Sequence, residues 1–290
     1  MVSKQENLLV VDGMALLFRA FYATAVSKQF MFNQDGIPTN GVQGFMKHLL
    51  AALRQSDPTH ALICWDMGSK TFRNELYDGY KANRTAPPEE MIPQFDLAKE
   101  VAAGFGFVNV GVPGYEADDC IGTITASLGQ SLSTTVLSGD KDLLQLLSPS
   151  NQVWIMQKGF GNYKRYDEAT FYEEMGITPK QFIDVKALMG DTSDGYPGVR
   201  GIGEKTALTL IQTFGSIEGV LANLEQLKPA QKRKIQEDLA MLELSRQLAE
   251  IHVAVPLEVN YEQCRFDGFH SSAQDVIQQY GLKMLAREFL

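Results

Sequence analysis

Strand-length apolar runs alternate with amphipathic stripes through the first half of this chain. Leu8 to Val11, Ala61 to Trp65, Phe107 to Val112, Thr134 to Leu137 and Val153 to Met156 carry β-formers and are bounded by Gly, Pro, Asp or Ser. Such runs predict five buried strands. Between the first two, Val42, Phe45, Met46, Leu49, Leu50 and Leu53 recur at the spacing of one helix face. Leu97, Val101 and Phe105 predict a second helix, and Ile121, Ile124 and Leu128 a third. The alternation predicts an α/β fold, a mostly parallel, twisted central sheet flanked by helices on both faces.

From about Asp167 the strand signal fades. Thr178 as a cap with Pro179 at the first helical position predicts a helix start. Gly203 to Phe214, Ile217 to Leu224 and Pro229 to Ile251 are further helix candidates, and Ser271 to Leu290 predicts a closing helix or helix pair. The chain thus divides into an α/β core, 1–175, and a helical region, 176–290. The segment 67–93 fits neither pattern. It is polar, sets Phe72, Tyr77 and Tyr80 among Lys and Arg, and passes through Pro87, Pro88 and Pro93. A long insertion of this kind behind a strand end predicts a mobile, functional segment.

With 290 residues the chain can bury a full core. No apolar run approaches the ~18 residues of a membrane span. The N-terminus leads into only Leu8 to Val11 before Asp12, a strand and not a secretory signal. Cys64, Cys120 and Cys264 are odd in number and widely spaced, which predicts reduced thiols and a cytoplasmic location.

Carboxylates fall where those strands end or helices begin: Asp12, Asp66, the group Glu116, Asp118 and Asp119, the pair Asp140 and Asp142, and the pair Asp191 and Asp194. In an open α/β sheet the carboxyl ends of the strands face the ligand crevice. A single such acid is usually a helix cap or offsets a helix dipole. Capping does not explain acids after three strands in one chain. So many negative charges in a water-poor cleft need protons or cations, and hard divalent ions suit oxygen ligands. The pattern predicts a metal-dependent enzyme acting on phosphates.

These nine acids equal in charge the net −9 of the chain, so bound dications would offset part of it. Basic residues outnumber acids four to two between Lys70 and Arg84 and six to three between Gly198 and Lys234, which favours a nuclease. Gly198 to Thr206 nearly spells a P-loop, but Glu204 separates the last glycine from Lys205 and no strand precedes it. A Gly-Ile-Gly turn between helices instead predicts a helix-hairpin-helix, at about 185–225, whose backbone amides face a DNA phosphate. No Gly-x-Ser-x-Gly elbow or His-Glu-x-x-His motif is present, and the four histidines lack ligand spacing.

Taken in order, Val10-Val11-Asp12-Gly13, Cys64-Trp65-Asp66, Tyr80-Lys81-Ala82-Asn83-Arg84, Gly114 to Asp119, Ser138 to Asp142 and Gly190 to Ala207 resemble the bacterial 5′→3′ exonuclease and flap endonuclease family. That family includes the N-terminal nuclease domain of DNA polymerase I, phage relatives and stand-alone homologues. With no polymerase region following, a stand-alone homologue is expected. The resemblance implies a PIN-like nuclease core with a helical arch at about 67–93, and two Mg²⁺ ions about 4 Å apart, with Mn²⁺ able to substitute. Asp12, Asp66, Glu116 and Asp118 match the first metal cluster, Asp140, Asp142, Asp191 and Asp194 the second, and Asp119 is placed to serve either.

Tyr80, Lys81 and Arg84 match the arch, Tyr80 to stack on an unpaired base, and Arg19 a basic residue just below it. Arg200, Gly201, Gly203, Lys205 and Thr206 match the hairpin that grips duplex DNA, where K⁺ is also expected. The family's usual Asn-Ile after the last acid is Gly195-Tyr196 here. The implied activity is hydrolysis at 5′ ends and 5′ flaps of branched DNA in replication or repair. Asp12, Asp140, Lys81 and Arg84 are its catalytic residues, in a monomer associated with the nucleoid. Two other readings remain at this stage: a branched-DNA-binding protein with vestigial nuclease activity, and a related metal-dependent ribonuclease.

Overall fold

The computed structural model describes residues 6–25, 30–128 and 132–289; residues 1–5 and Leu290, the ends of two expected segments, lie outside them. Six strands form one sheet: β1 (Asn7–Asp12), β2 (His60–Cys64), β3 (Val108–Val110), β4 (Ser133–Ser138), β5 (Asn151–Met156) and β6 (Tyr163–Tyr166). Their order is β3-β2-β1-β4-β5-β6, parallel except for β6, which runs antiparallel to β5. The helices are α1 (Gly13–Ala25), α2 (Asn40–Ser56), α3 (Phe72–Leu76), α4 (Ile92–Gly104), α5 (Ala117–Leu128), α6 (Glu168–Met175) and α7 (Pro179–Met189). They continue with α8 (Glu204–Phe214), α9 (Ile217–Ala222), α10 (Pro229–Glu237), α11 (Leu239–Ala249), α12 (Ser272–Gln279) and α13 (Lys283–Phe289).

Strand alternation sends side chains to two separate cores. Leu8 and Val10 of β1, with Leu62, Val136 and Val153, pack against Ile121 and Ile124 of α5, Phe182 and Val185 of α7, and Leu210 and Ile211 of α8. Leu9 and Val11, with Ile63, Leu137 and Trp154, face Leu16, Leu17 and Phe21 of α1, the α2 stripe, and Leu97 and Val101 of α4. Each such aliphatic side chain contributes about 1.5–3 kcal/mol on burial.

Several elements differ from the sequence reading. The segment 77–91 is a series of turns, not a helical arch, and α3 is five residues long. Gly79, Pro87 and Pro88 penalise helix there. The stretch Pro229 to Ile251 breaks at Asp238, whose carboxylate accepts from the Arg200 amide at 2.9 Å. The closing pair α12 and α13 leaves the helical region and packs back on the core, with Ala273, Ile277, Leu282 and Leu285 in the α2 and α4 layer. No described helix is long and apolar enough to cross a membrane.

Candidate active site

The chain lays down β1, β2 and β3 in one direction, then returns to add β4 on the other side of β1. Helical connections therefore diverge from the carboxyl ends of β1 and β4, which opens the crevice where such sheets bind ligands. Asp12 ends β1, and α1 follows at once because Gly13 lacks a Cβ. One there would lie 2.7 Å from the Trp65 ring. Ser138 ends β4 and donates to Asp12 Oδ2 at 2.5 Å while accepting from the Asp140 amide at 3.0 Å. Asp66, just beyond β2, accepts from the Ala117 amide at 2.7 Å, so the first turn of α5 fixes its carboxylate.

A cavity of about 160 Å³ lies at this point, lined by Asp12, Asp66, Glu116, Asp118 and Asp140, with Lys81 and Arg84 above and Phe18 beside it. Burial pushes Asp12 up to about 7, against the hydrogen bonds from Ala15 and Ser138. Burial likewise raises Asp66, and it raises Asp118 well above the carboxylate range, helped by Asp140 and Asp12. Desolvated acids that repel one another have a deficit of positive charge that an oxygen-seeking dication would satisfy. The donor set fits a divalent ion. Among the described residues no three His, Cys, Asp or Glu groups are already closed round one point. Internal cations account for part of that: Lys81 Nζ holds Glu116 at 2.6 Å and Arg84 holds Asp194 at 2.7 Å.

The other acids gather beside the cavity. Lys186 Nζ lies 2.8 Å from Asp142 and also donates to Asp191. Asp142 is pushed up to about 7 by burial and by Asp140. Asp191 is half-buried, yet it falls to about 2 because Lys186 and Ser193 both hydrogen-bond it. The shared ammonium thus favours Asp191, which has more donors. Asp194 carries Arg84 and, at 3.3 Å, the Tyr80 hydroxyl. Gly195 takes φ 79°, as the turn requires, and a Cβ there would lie 2.5 Å from the Gly79 carbonyl. Segment 77–84 can therefore close on the acids, and Lys81 itself is held at φ 54° by a 2.7 Å bond from its amide to Asp194 O.

Two sequence assignments need correction. Asp119 is fully buried and accepts both Arg73 guanidinium nitrogens at 2.8 Å, the His252 amide at 2.9 Å and the Glu116 amide at 3.0 Å. Its four lone-pair sites are filled, so it ties α3 to α5 and is no metal ligand. Tyr80 is 2 % exposed and donates to Glu116 at 3.0 Å, so its ring cannot receive a base. Arg19, expected just below the arch, bonds the Gln157 carbonyl. The sequence reading missed Arg73, Ser138 and Lys186. Only Lys186, five residues before Asp191 on a helix that ends at the acids, left a readable trace.

The hairpin joins α7 to α8. Gly203 caps α8, and a Cβ there would meet nothing within 4 Å, so the amide end of the helix is open. Arg200, its side chain 83 % exposed, lies beside it, and Lys205 and Thr206 are in the first turn of α8. The Gly201 carbonyl, at the tip, already accepts from Lys234 Nζ at 3.0 Å. K⁺ does not fit that carbonyl as it stands.

Two family models match the chain: the 5′-3′ exonuclease N-terminal resolvase-like domain over residues 7–176, and the 5′-3′ exonuclease C-terminal SAM fold over residues 177–272. The chain is 56 % identical over 282 residues to a 5′-3′ exonuclease of Bacillus subtilis, covering 97 % of this chain and 95 % of that protein. The chain belongs to the 5′-3′ exonuclease family. It is also 37 % identical over 271 residues to DNA polymerase I of Lactococcus lactis, but spans 31 % of that protein's length. Among solved structures, a bacteriophage T5 flap endonuclease in a pseudo-enzyme–product complex with DNA and metal ions superposes with a TM-score of 0.70, at 22 % identity, over 95 % of this chain and 100 % of that one. The catalytic core of Rad2 with DNA substrate gives 0.59 at 16 % identity, over 97 % and 88 %. The two solved structures share the fold of this chain.

Proposed function

We propose that this 5′-3′ exonuclease family member hydrolyses DNA phosphodiester bonds at free 5′ ends and 5′ flaps, with two Mg²⁺ ions held by its acid groups. The observation that carries the reading is the single cavity at the switch point, where Asp12, Asp66, Glu116, Asp118 and Asp140 converge under Lys81 and Arg84. Asp12, Asp66 and Asp118 would hold one ion together with Asp140, which lines the same cavity and so leaves the second cluster expected for it, while Glu116, expected in the first, stays with Lys81. Asp142, Asp191 and Asp194 would hold the other ion. When bound, such ions activate water and stabilise charge on the scissile phosphate and leaving oxygen.

The chain's own groups do the rest. Ser138 and the Ala15 amide orient Asp12, and the first turn of α5 orients Asp66. Lys81 and Arg84 now rest on Glu116 and Asp194, and an entering phosphate would draw both cations to itself. An exposed ring for an unpaired base is supplied by Tyr22, 51 % exposed and stacked on Phe18 at 6.3 Å between centroids. The open amide end of α8, with Arg200 and Lys205, would grip the duplex by its backbone, so recognition follows shape and not sequence. Single-turnover cleavage of a 5′-labelled flap in Mg²⁺ tests the reading. Release of short 5′ fragments, abolished by EDTA, is expected; a flap left intact in Mg²⁺ would refute it.

A further inference from the structure

The two acid groups differ in how the chain neutralises them. The cavity carboxylates Asp12, Asp66 and Asp118 have no ammonium or guanidinium within ion-pair distance among the described residues. Asp142 and Asp191 instead share Lys186, whose side chain is only 6 % exposed. Its Nζ stands 2.8 Å from Asp142 and also bonds Asp191, so the ammonium occupies the place where both acids would meet an ion. The lysine projects from α7, whose Val185 and Leu188 are fully buried in the core. Its backbone is therefore fixed, and the ammonium can leave only by side-chain rotation.

We propose that Lys186 is a built-in counter-cation of the second acid group, one that holds Asp142 and Asp191 together without metal and keeps divalent ions out until DNA arrives. With Asp194 and its partner Arg84 counted, a dication entering beside the ammonium would place four positive charges against three carboxylates in a poorly solvated spot. A DNA phosphate restores the balance and offers Lys186 a new partner. Ion uptake is then ordered: the cavity fills in the free protein, the second group only on substrate. The inference rests on the two-metal reading above, and it assigns Lys186 a positioning role.

Calorimetric titration of Mn²⁺ into the full chain, with and without a non-cleavable phosphorothioate flap, tests it in wild type, Lys186→Met and Lys186→Arg. Wild type and Lys186→Arg should take up one ion without DNA and two with it. Lys186→Met should take up two in both cases, the second at least about tenfold more tightly than any second event in wild type. Should Lys186→Met be unfolded in EDTA, Mn²⁺ should restore it, since the ion replaces the missing charge. The same stoichiometry and affinity in Lys186→Met as in wild type would overturn the proposal, as would a variant that stays unfolded at every Mn²⁺ concentration. Absence of Mn²⁺ binding by any of the three proteins, even with DNA, would instead sink the metal reading on which the proposal depends.

Discussion

Asp118 and Asp119 are sequence neighbours with opposite roles, and replacing each with Asn should give opposite results. Asp119 lies 2.8 Å from both outer nitrogens of Arg73, whose side chain is 3 % exposed. At that separation the pair attraction is about 6 kcal/mol for an effective dielectric near 20. Breaking a buried pair from one side costs about 3–5 kcal/mol. Arg73 keeps the Leu248 and Glu250 carbonyls and Glu116 at 3.6 Å, which places the loss at the low end, about 3 kcal/mol. Asp119→Asn should therefore lower Tm by roughly 6–10 °C and leave Mn²⁺ uptake of the folded protein intact. Asp118, by contrast, is destabilised by burial and by the charges of Asp140 and Asp12. Asp118→Asn should match or exceed wild-type stability in EDTA at pH 8 and lose flap cleavage. The assays are urea unfolding in EDTA and single-turnover cleavage in Mg²⁺. An Asp119→Asn protein as stable as wild type but unable to bind Mn²⁺ would refute the assignment.

Other outcomes follow from the same geometry. Asp12 and Asp142, both raised from 3.8 to about 7, hold protons in the folded chain that the unfolded chain releases. Folding thus takes up protons between these values, and stability in EDTA should fall by a few kcal/mol, in order of magnitude, as pH rises through that window. Mg²⁺ at pH 8 should recover it, and identical urea midpoints at pH 5 and pH 8 would contradict this. Lys81→Ala should slow single-turnover cleavage by about 100-fold or more with a small change in DNA affinity, because its charge acts on the phosphate in the transition state. Equal losses in rate and affinity would make it a simple phosphate clamp. Lys205→Ala should weaken duplex binding alike on all sequences and reduce the salt slope by about 1; a sequence-dependent loss would count against backbone recognition.

The sheet and the acids at its carboxyl edge were legible because they obey local rules. The parallel strands, buried on both faces, read as continuous apolar runs, and Asp12 and Asp66 come straight after them. Strand β6 was invisible since Tyr163-Lys164-Arg165-Tyr166 lies at the antiparallel edge, with Lys164 and Arg165 exposed. Which of Asp118 and Asp119 faces the cavity depends on the rotation of α5. That rotation is set by Ala117, Cys120, Ile121 and Ile124 packing on the sheet, long-range contacts that no local pattern encodes. Tyr80 looked like a free aromatic among basic residues. It is buried because Gly195 lets segment 77–84 approach the acids. Lys186 left a trace in its spacing from Asp191, but its reach to Asp142 depends on folding that sets α7 beside the turn after β4.

Anomalous diffraction from Mn²⁺-grown crystals of the protein bound to a non-cleavable 5′ flap tests the central claim most directly. The account predicts one manganese peak within coordination distance of Asp12, Asp66, Asp118 and Asp140, and a second among Asp142, Asp191 and Asp194, with the flap phosphate between them. Manganese bound elsewhere on the chain, with these carboxylates free of metal and turned away from the DNA, would contradict it.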